Sequence, residues 1–294
     1  ERCGENVPLL VNMQPSGKYL GEGFFKAGGV PVVMNELNQN NLLNKDVITV
    51  SGKTVDQNLK KIFREENDVI YDLKKPIKEK AGFLVLRSNF FDTAIMKMSV
   101  VNDEFIERYL SDPSNPNIFI AKAIVFDGPE DYHKNINNPD LNIDEKCILV
   151  MRGCGPIGYP GSAEVVNMQP PDELLKKGIS SLPCIGDGRQ SGTSESPSIL
   201  NVSPEAAVGG GLAIIKNGDE IKIDLNKKRA DLLLEDEVIR ERLKNNNYKY
   251  PDNQTPWQEI SRKFTGQLSD GACLNLEESY FDIANSKGIP RDSH

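Results

Sequence analysis

Histidine is nearly missing from this chain: His133 and the terminal His294 are the only two in 294 residues. A Ser-His-Asp triad therefore lacks a plausible base, since one lies in a charged loop and the other ends the chain. Cysteine is sparse and unpatterned. Cys3, Cys147, Cys154, Cys184 and Cys273 make an odd number with no Cys-x-x-Cys pair, so neither a disulfide framework nor a zinc knuckle is indicated. Reduced, cytosolic-type thiols are expected. No apolar run approaches the roughly 18 residues of a membrane helix. Nor is there an excess of positive charge: the net charge is −8, whereas binding nucleic-acid phosphates needs a basic face. The phosphate-loop spacing GxxxxGK[ST] does not occur. The start, Glu1-Arg2-Cys3-Gly4, has no initiator Met, signal peptide or transit-like composition, so the chain is expected to begin inside a longer protein.

At 38% hydrophobic and 27% charged residues, the chain has the composition of an ordinary soluble globular protein. Its length suits one large domain or two of usual size. Its acidity does not restrict small-molecule substrates, because one local cation or metal can reverse the field of a pocket. Residues 8–63 read as mixed α/β, with helices expected over Lys18–Lys26 and Pro31–Leu43 and a short strand over Val47–Val50. Thr54 and Gln57 form a capping-box pattern, so a helix should start near Thr54. The texture changes near residue 70, and the charged stretch around Pro76 is a plausible domain boundary. Beyond it lie β-rich runs at Gly82–Arg87, Ile118–Phe126 and Cys147–Met151. Leu212–Ile215, Asn217-Gly218 and Ile221–Leu225 give the clearest hairpin signal, with Asn-Gly at the turn, and Leu232–Leu234 is a further strand candidate. Such spacing favours a barrel or sandwich. Helices are expected around Pro171–Lys177, Asp236–Lys244, Trp257–Leu268 and Glu277–Ser286.

Three glycine-rich polar segments could carry chemistry. Pro15-Ser16-Gly17-Lys18-Tyr19 reads as a turn contributing to a cleft wall. Arg152–Glu164 holds four glycines and two prolines after an apolar strand. A carboxylate placed after such a loop, Glu164, can ligate a hard cation, which prefers oxygen donors; the same pattern equally describes a solvated first-turn Glu favoured by a helix dipole. The segment Cys184–Ser198 follows the apolar run Ile179–Ile185 and packs three glycines around Asp187-Gly188-Arg189. Its hydroxyls are Ser191, Thr193, Ser194, Ser196 and Ser198, potential donors, bases or nucleophiles. With no histidine at hand, a nearby metal is the natural activator of a serine, as metals lower the pKa of bound oxygen. Cys154 and Cys184 flank these loops and read as packed small residues.

The motifs Gly155-Pro-Ile-Gly-Tyr-Pro-Gly-Ser-Ala-Glu164, Asp187-Gly-Arg-Gln-Ser-Gly-Thr193 and Ser203-Pro-Glu-Ala206 with Gly209-Gly-Gly211 resemble the C-terminal half of the dihydroxy-acid and sugar-acid dehydratases. Leu9–Tyr19, Ala27–Val33 and Val47–Thr54 fit the same family, so the resemblance spans nearly the whole chain. It implies residues 1–75 as the end of a cluster-bearing α/β domain and 76–294 as a β-barrel-like domain with peripheral helices. The implied reaction is dehydration of a sugar acid to its 2-keto-3-deoxy acid, with Ser191 as the alkoxide base, Thr193 as a substrate contact and Glu164 as a Mg²⁺ ligand. The implied cofactors are Mg²⁺ and an iron–sulfur cluster, expected as 2Fe-2S, whose cysteines would lie upstream of Glu1. Departures from the branched-chain amino-acid enzymes, Gln190 before the serine, Gly192-Thr193 after it and Ser162-Ala163 before the glutamate, resemble the sugar-acid branch. A polar pocket suits a polyol, whereas an aliphatic substrate needs apolar walls. The alternatives are a dihydroxy-acid dehydratase of branched-chain amino-acid synthesis, or an inactive fragment lacking the cluster ligands. The expected partners are a small sugar acid and further copies of the protein, as a dimer or tetramer, with no nucleic acid and no membrane. The cytoplasm is the expected location, with mitochondria as the alternative.

Overall fold

The computed structural model describes residue 4, residues 6–192 and 194–275, and residues 282, 285 and 286. Two compact units share the chain. One takes residues 1–84, 97–102 and 192–195; the other takes 85–96, 103–191 and 196–294.

The first unit is helical. Helices α1 (Gly21–Lys26), α2 (Gly29–Gln39) and α3 (Val55–Leu59) surround a small core of Val32, Val69 and Ile70, with Phe24, Ala27, Val33 and Ile62 packed on it. Relative to expectation, α1 starts three residues later, at Gly21, and α2 starts two residues earlier, at Gly29, and ends at Gln39. The capping box is formed: the Gln57 amide donates to Thr54 Oγ1 at 3.2 Å, and the Thr54 amide donates to Gln57 Oε1 at 3.0 Å. Replacing Thr54 by alanine should cost about 1 kcal/mol, measurable as a lower denaturant midpoint at unchanged m. The strand expected over Val47–Val50 is instead a tight turn. Its ladder is one bridge, Ile48 to Thr54, closed around Gly52 at φ +73°, and Val50 faces solvent. The expected turn at Pro15–Tyr19 is present, fastened by Asn12, whose side-chain oxygen accepts from the Lys18 amide at 2.9 Å.

The second unit is built on a mixed sheet of eight strands in the order β1-β2-β6-β5-β4-β3-β7-β8. These are β1 (Phe83–Leu86), β2 (Thr93–Lys97), β3 (Ile118–Asp127), β4 (Cys147–Arg152), β5 (Cys184–Gly186), β6 (Ser198–Ser203), β7 (Glu220–Asp224) and β8 (Arg229–Leu232). Strands β3, β4, β5 and β6 run parallel. β4 is buried on both faces, as a near-continuous apolar run requires. Parallel neighbours need crossovers. Helix α5 (Gly128–Asn135) supplies the one from β3 to β4, and α6 (Asp172–Lys176) lies between β4 and β5; the single turn α4 (Asp103–Phe105) precedes β3. Both crossover helices cover a core that includes Phe126, Leu149, Met151, Leu182 and Cys184. From β5 to β6 no helix intervenes among the described residues, and the crossover is irregular over 187–192 and 194–197. The sheet closes toward a barrel where Arg87 pairs with Arg229, and Asn89 accepts from the Leu232 amide and donates to its carbonyl, both at 2.9 Å.

The expected hairpin at 212–225 is not formed. Gly211–Ile214 is a 3-10 turn, and Leu212, Ile214 and the following Ile215 are all buried, so no polar face exists to make an alternating strand. The carbonyls of Ala213 and Ile215 instead accept from Arg152 at 3.1 and 3.0 Å. β7 finds its hairpin partner downstream in β8, with register Ile221 to Leu232. Helix α7 (Asp236–Lys244) matches its expected bounds, and α8 (Pro256–Phe264) ends earlier than expected. The helix expected at Glu277–Ser286 lies outside the described residues in its greater part. No helix among the described residues is long and apolar enough to cross a membrane.

Candidate active site

Three loops leave the C-terminal ends of neighbouring parallel strands: 153–164 after β4, 187–197 after β5 and 204–211 after β6. In open α/β sheets this edge is where ligands bind. Two carboxylates with no exposed surface tie the loops together. Asp187 accepts from the amides of Gly153 at 3.0 Å, Cys154 at 2.8 Å and Ala206 at 2.9 Å. Glu205 accepts from Ile157 at 3.0 Å, Gly158 at 2.8 Å and the Gln267 side chain at 2.9 Å. The glycines are dictated by these contacts: a Cβ on Gly155 would stand 2.5 Å from Glu205 Oε2. Arg262 of α8 fixes the other side of the loop, donating to the carbonyls of Ile157 at 2.8 Å and Gly158 at 3.1 Å. Its guanidinium also lies 4.4 Å from the Tyr250 ring centroid, a cation–π contact.

The β4 and β5 loops then run side by side. The Arg189 amide donates to Ala163 O at 2.9 Å, and the Val166 amide to Arg189 O at 3.1 Å. Gly188 permits the approach, since its Cβ would come within 2.8 Å of Ala163 O. Arg189 Nε donates to Ser162 O at 2.7 Å while Nη1 reaches Glu164 Oε1 at 3.3 Å. Glu164 is therefore an exposed carboxylate held beside a guanidinium, neither sealed in nor at a helix start, and half of its side chain stays open to solvent. An ion pair this exposed is weak, about 1 kcal/mol or less, so the carboxylate is available to another cation. Ser191 follows two residues after Arg189 and is partly exposed. Gln190 donates to Ser196 O at 2.6 Å, and the Ser196 and Ser198 hydroxyls pair at 2.9 Å, which braces the return of the crossover into β6. Thr193 lies outside the described residues.

The strand ends thus bring Glu164 and the Ser191 segment onto adjacent backbone. They do not bring histidine: His133 is exposed on α5, and His294 is outside the described residues. Cys147, Cys154 and Cys184 are buried. Burial pushes the thiols of Cys147 and Cys184 up to about 11 and about 12, and that of Cys154 higher still, so these are protonated packing residues. Among the described residues no three His, Cys, Asp or Glu side chains gather to hold a metal. Glu164 fits one ligand of a hard cation. Among the described residues the thiols do not gather into the set of thiolates that holds an iron–sulfur cluster. Sequence reasoning gave no role to Asp187, Glu205 or Arg262. A signal was there for the first two: each carboxylate stands at the end of an apolar strand among glycines, where ionised groups need donors.

The model of the dihydroxy-acid/6-phosphogluconate dehydratase C-terminal domain matches residues 68–272, and that of the N-terminal domain matches residues 1–58. The chain is 56% identical over 293 residues to a D-xylonate dehydratase of Caulobacter vibrioides, covering 100% of this chain and 49% of that protein. It is 45% identical over 297 residues to an L-arabinonate dehydratase of Rhizobium leguminosarum bv. trifolii, covering 100% and 48%. A dihydroxy-acid dehydratase of Saccharolobus islandicus is 33% identical over 248 residues, covering 83% and 41%. The chain spans about half the length of these relatives.

Proposed function

Given that the chain belongs to the dihydroxy-acid/6-phosphogluconate dehydratase family, we propose that it forms the barrel-bearing half of a hydro-lyase acting on a sugar acid. The observation that carries this reading is the pairing of the β4 and β5 loops through Arg189, which sets Glu164 and Ser191 on one strand-end surface. The names of two of these relatives, a D-xylonate and an L-arabinonate dehydratase, support a five-carbon aldonate. The reaction removes a proton from C2 and the hydroxyl from C3, and the enol so formed tautomerises to the 2-keto-3-deoxy acid.

Ser191 Oγ takes the C2 proton. Thr193 contacts the substrate hydroxyls. Glu164 offers a single carboxylate to a divalent cation, and a bound cation would stabilise negative charge on the substrate's carboxylate side. Arg189, already 3.3 Å from Glu164, keeps that carboxylate oriented. In this reading the cluster of the holoenzyme takes its ligands from outside this chain, since no group of thiolates gathers among the described residues. Residues 1–75 belong in this reading with the cluster-bearing domain, residues 76–294 form the catalytic barrel domain, and the protein works in the cytoplasm as a dimer or tetramer.

The test is substrate profiling of the full-length protein on xylonate, arabinonate and dihydroxyisovalerate, following 2-keto acid formation. A kcat/KM at least about tenfold higher for an aldonate is expected, since a site built to bond hydroxyls rejects analogues lacking them. Turnover of dihydroxyisovalerate alone would move the protein to the branched-chain amino-acid reading. No turnover of any of the three would support an inactive chain.

A further inference from the structure

Asp187 and Glu205 are unusual charges. Both have no exposed surface, and burying a carboxylate is costly unless it is fully hydrogen-bonded. Among the described residues no lysine or arginine bonds to either. Their partners are main-chain amides, apart from the Gln267 side-chain amide on Glu205. The two carboxylates divide the work. Asp187 holds the start of the β4 loop, Gly153 and Cys154, and reaches across to Ala206 after β6. Glu205, one residue before Ala206, holds the middle of the same β4 loop at Ile157 and Gly158. The loop that ends in Glu164 is thereby fixed at two points, and the first is the residue that opens the Ser191 segment.

We propose that Asp187 and Glu205 are positioning residues, a pair of buried carboxylates that set the β4 loop against the Ser191 segment through the main-chain donors of that loop. The effect on turnover rests on the reading of Ser191 and Glu164 above; the effect on the loop does not. The halves differ in their response to acid. Burial, with Glu205 nearby, raises the Asp187 carboxyl to about 6 against the opposing pull of its three amide donors. The titratable groups facing it are Glu205, the Cys154 thiol and the Tyr248 phenol, none of them cationic. Below that value one oxygen becomes a donor facing donors, and the Gly153–Cys154 anchor weakens. The sign for global stability is the reverse. The folded chain takes this proton before the unfolded chain, whose aspartates titrate near about 3.9. Through this group alone, acidification from pH 7 toward pH 5 therefore stabilises the fold while loosening the loop.

Amide hydrogen exchange of the full-length protein, resolved to single residues by gas-phase fragmentation and corrected for intrinsic rates, tests this between pH 5 and 8. In the wild type, exchange at Gly153, Cys154 and Ala206 should rise at least about tenfold below pH 6, the scale of a lost hydrogen bond to a charged acceptor. Exchange at Ile157 and Gly158 should not follow. Asp187→Asn should show the fast rate at every pH. Glu205→Gln should loosen Ile157 and Gly158 and leave the pH step at Gly153 in place. The kcat profile on an aldonate should lose its acid limb in Asp187→Asn. Should that variant fail to fold, the wild-type step alone decides. A wild type with no step at Gly153 and Cys154, or one equal at all five amides, overturns the proposal. A correct exchange pattern without aldonate turnover leaves the clasp standing and removes the substrate reading.

Discussion

Alanine at position 191 in the full-length protein should lower kcat by roughly a thousandfold or more, the range for removing a positioned proton acceptor, while the fold is unchanged. The side chain is partly exposed, so removing one oxygen leaves no buried cavity. Circular dichroism and the melting temperature should therefore match the wild type. The neighbouring hydroxyls provide the contrast. Ser196 and Ser198 pair with each other at 2.9 Å and brace the crossover, so their alanine variants should stay within about tenfold of normal turnover, the scale of one net hydrogen bond. Near-normal activity in Ser191→Ala, or an equal collapse in all three variants, would remove the base from Ser191.

The largest stability effect is expected at Gly211. A Cβ there would lie 1.7 Å from the Phe90 carbonyl oxygen and 3.0 Å from its ring, and a backbone oxygen cannot swing aside as a flexible side chain does. Gly211→Ala should destabilise the barrel unit by about 3 kcal/mol or more, a fall in Tm of roughly 6–12 °C for a domain of this size. Gly21→Ala is the control. Nothing lies within 4 Å of its Cβ, so alanine in α1 should leave Tm unchanged or slightly raised. Calorimetry of both variants decides. A Tm drop common to both would attribute the effect to glycine loss in general and not to this contact.

The elements that were legible are those whose signal is local. The Thr54–Gln57 box, the continuous apolar run of β4 and the bounds of α7 each depend on neighbours a few residues away. The end of β5 was legible too, because the apolar run stops at Ile185 and a glycine-rich segment follows. What failed was pairing. Leu212–Ile215 has strand composition and a following Asn-Gly, yet its carbonyls are taken by Arg152, some sixty residues upstream, and no local pattern announces that. Asp187 and Glu205 were hidden for a similar reason. Their partners are amides, which every residue carries, so the sequence bears no mark of the bond beyond the carboxylate itself. The roles of Ser191 and Glu164 came from family resemblance. The residue pattern alone left five hydroxyls and two readings of Glu164.

The seam where Asn89 exchanges hydrogen bonds with Leu232, residues 143 positions apart, bears on how the molecule is made. A chain emerging from the ribosome cannot join that seam until Leu232 has cleared the exit tunnel, by which time β3 to β6 are already outside. Until β7 and β8 follow, the sheet waits with open lateral edges at β3 and β1, which are templates for pairing with another nascent chain. Synthesis thus has a vulnerable interval that ends only with the last strand. Slowed translation between Ser203 and Leu232 should lengthen it, and chaperone dependence should concentrate there.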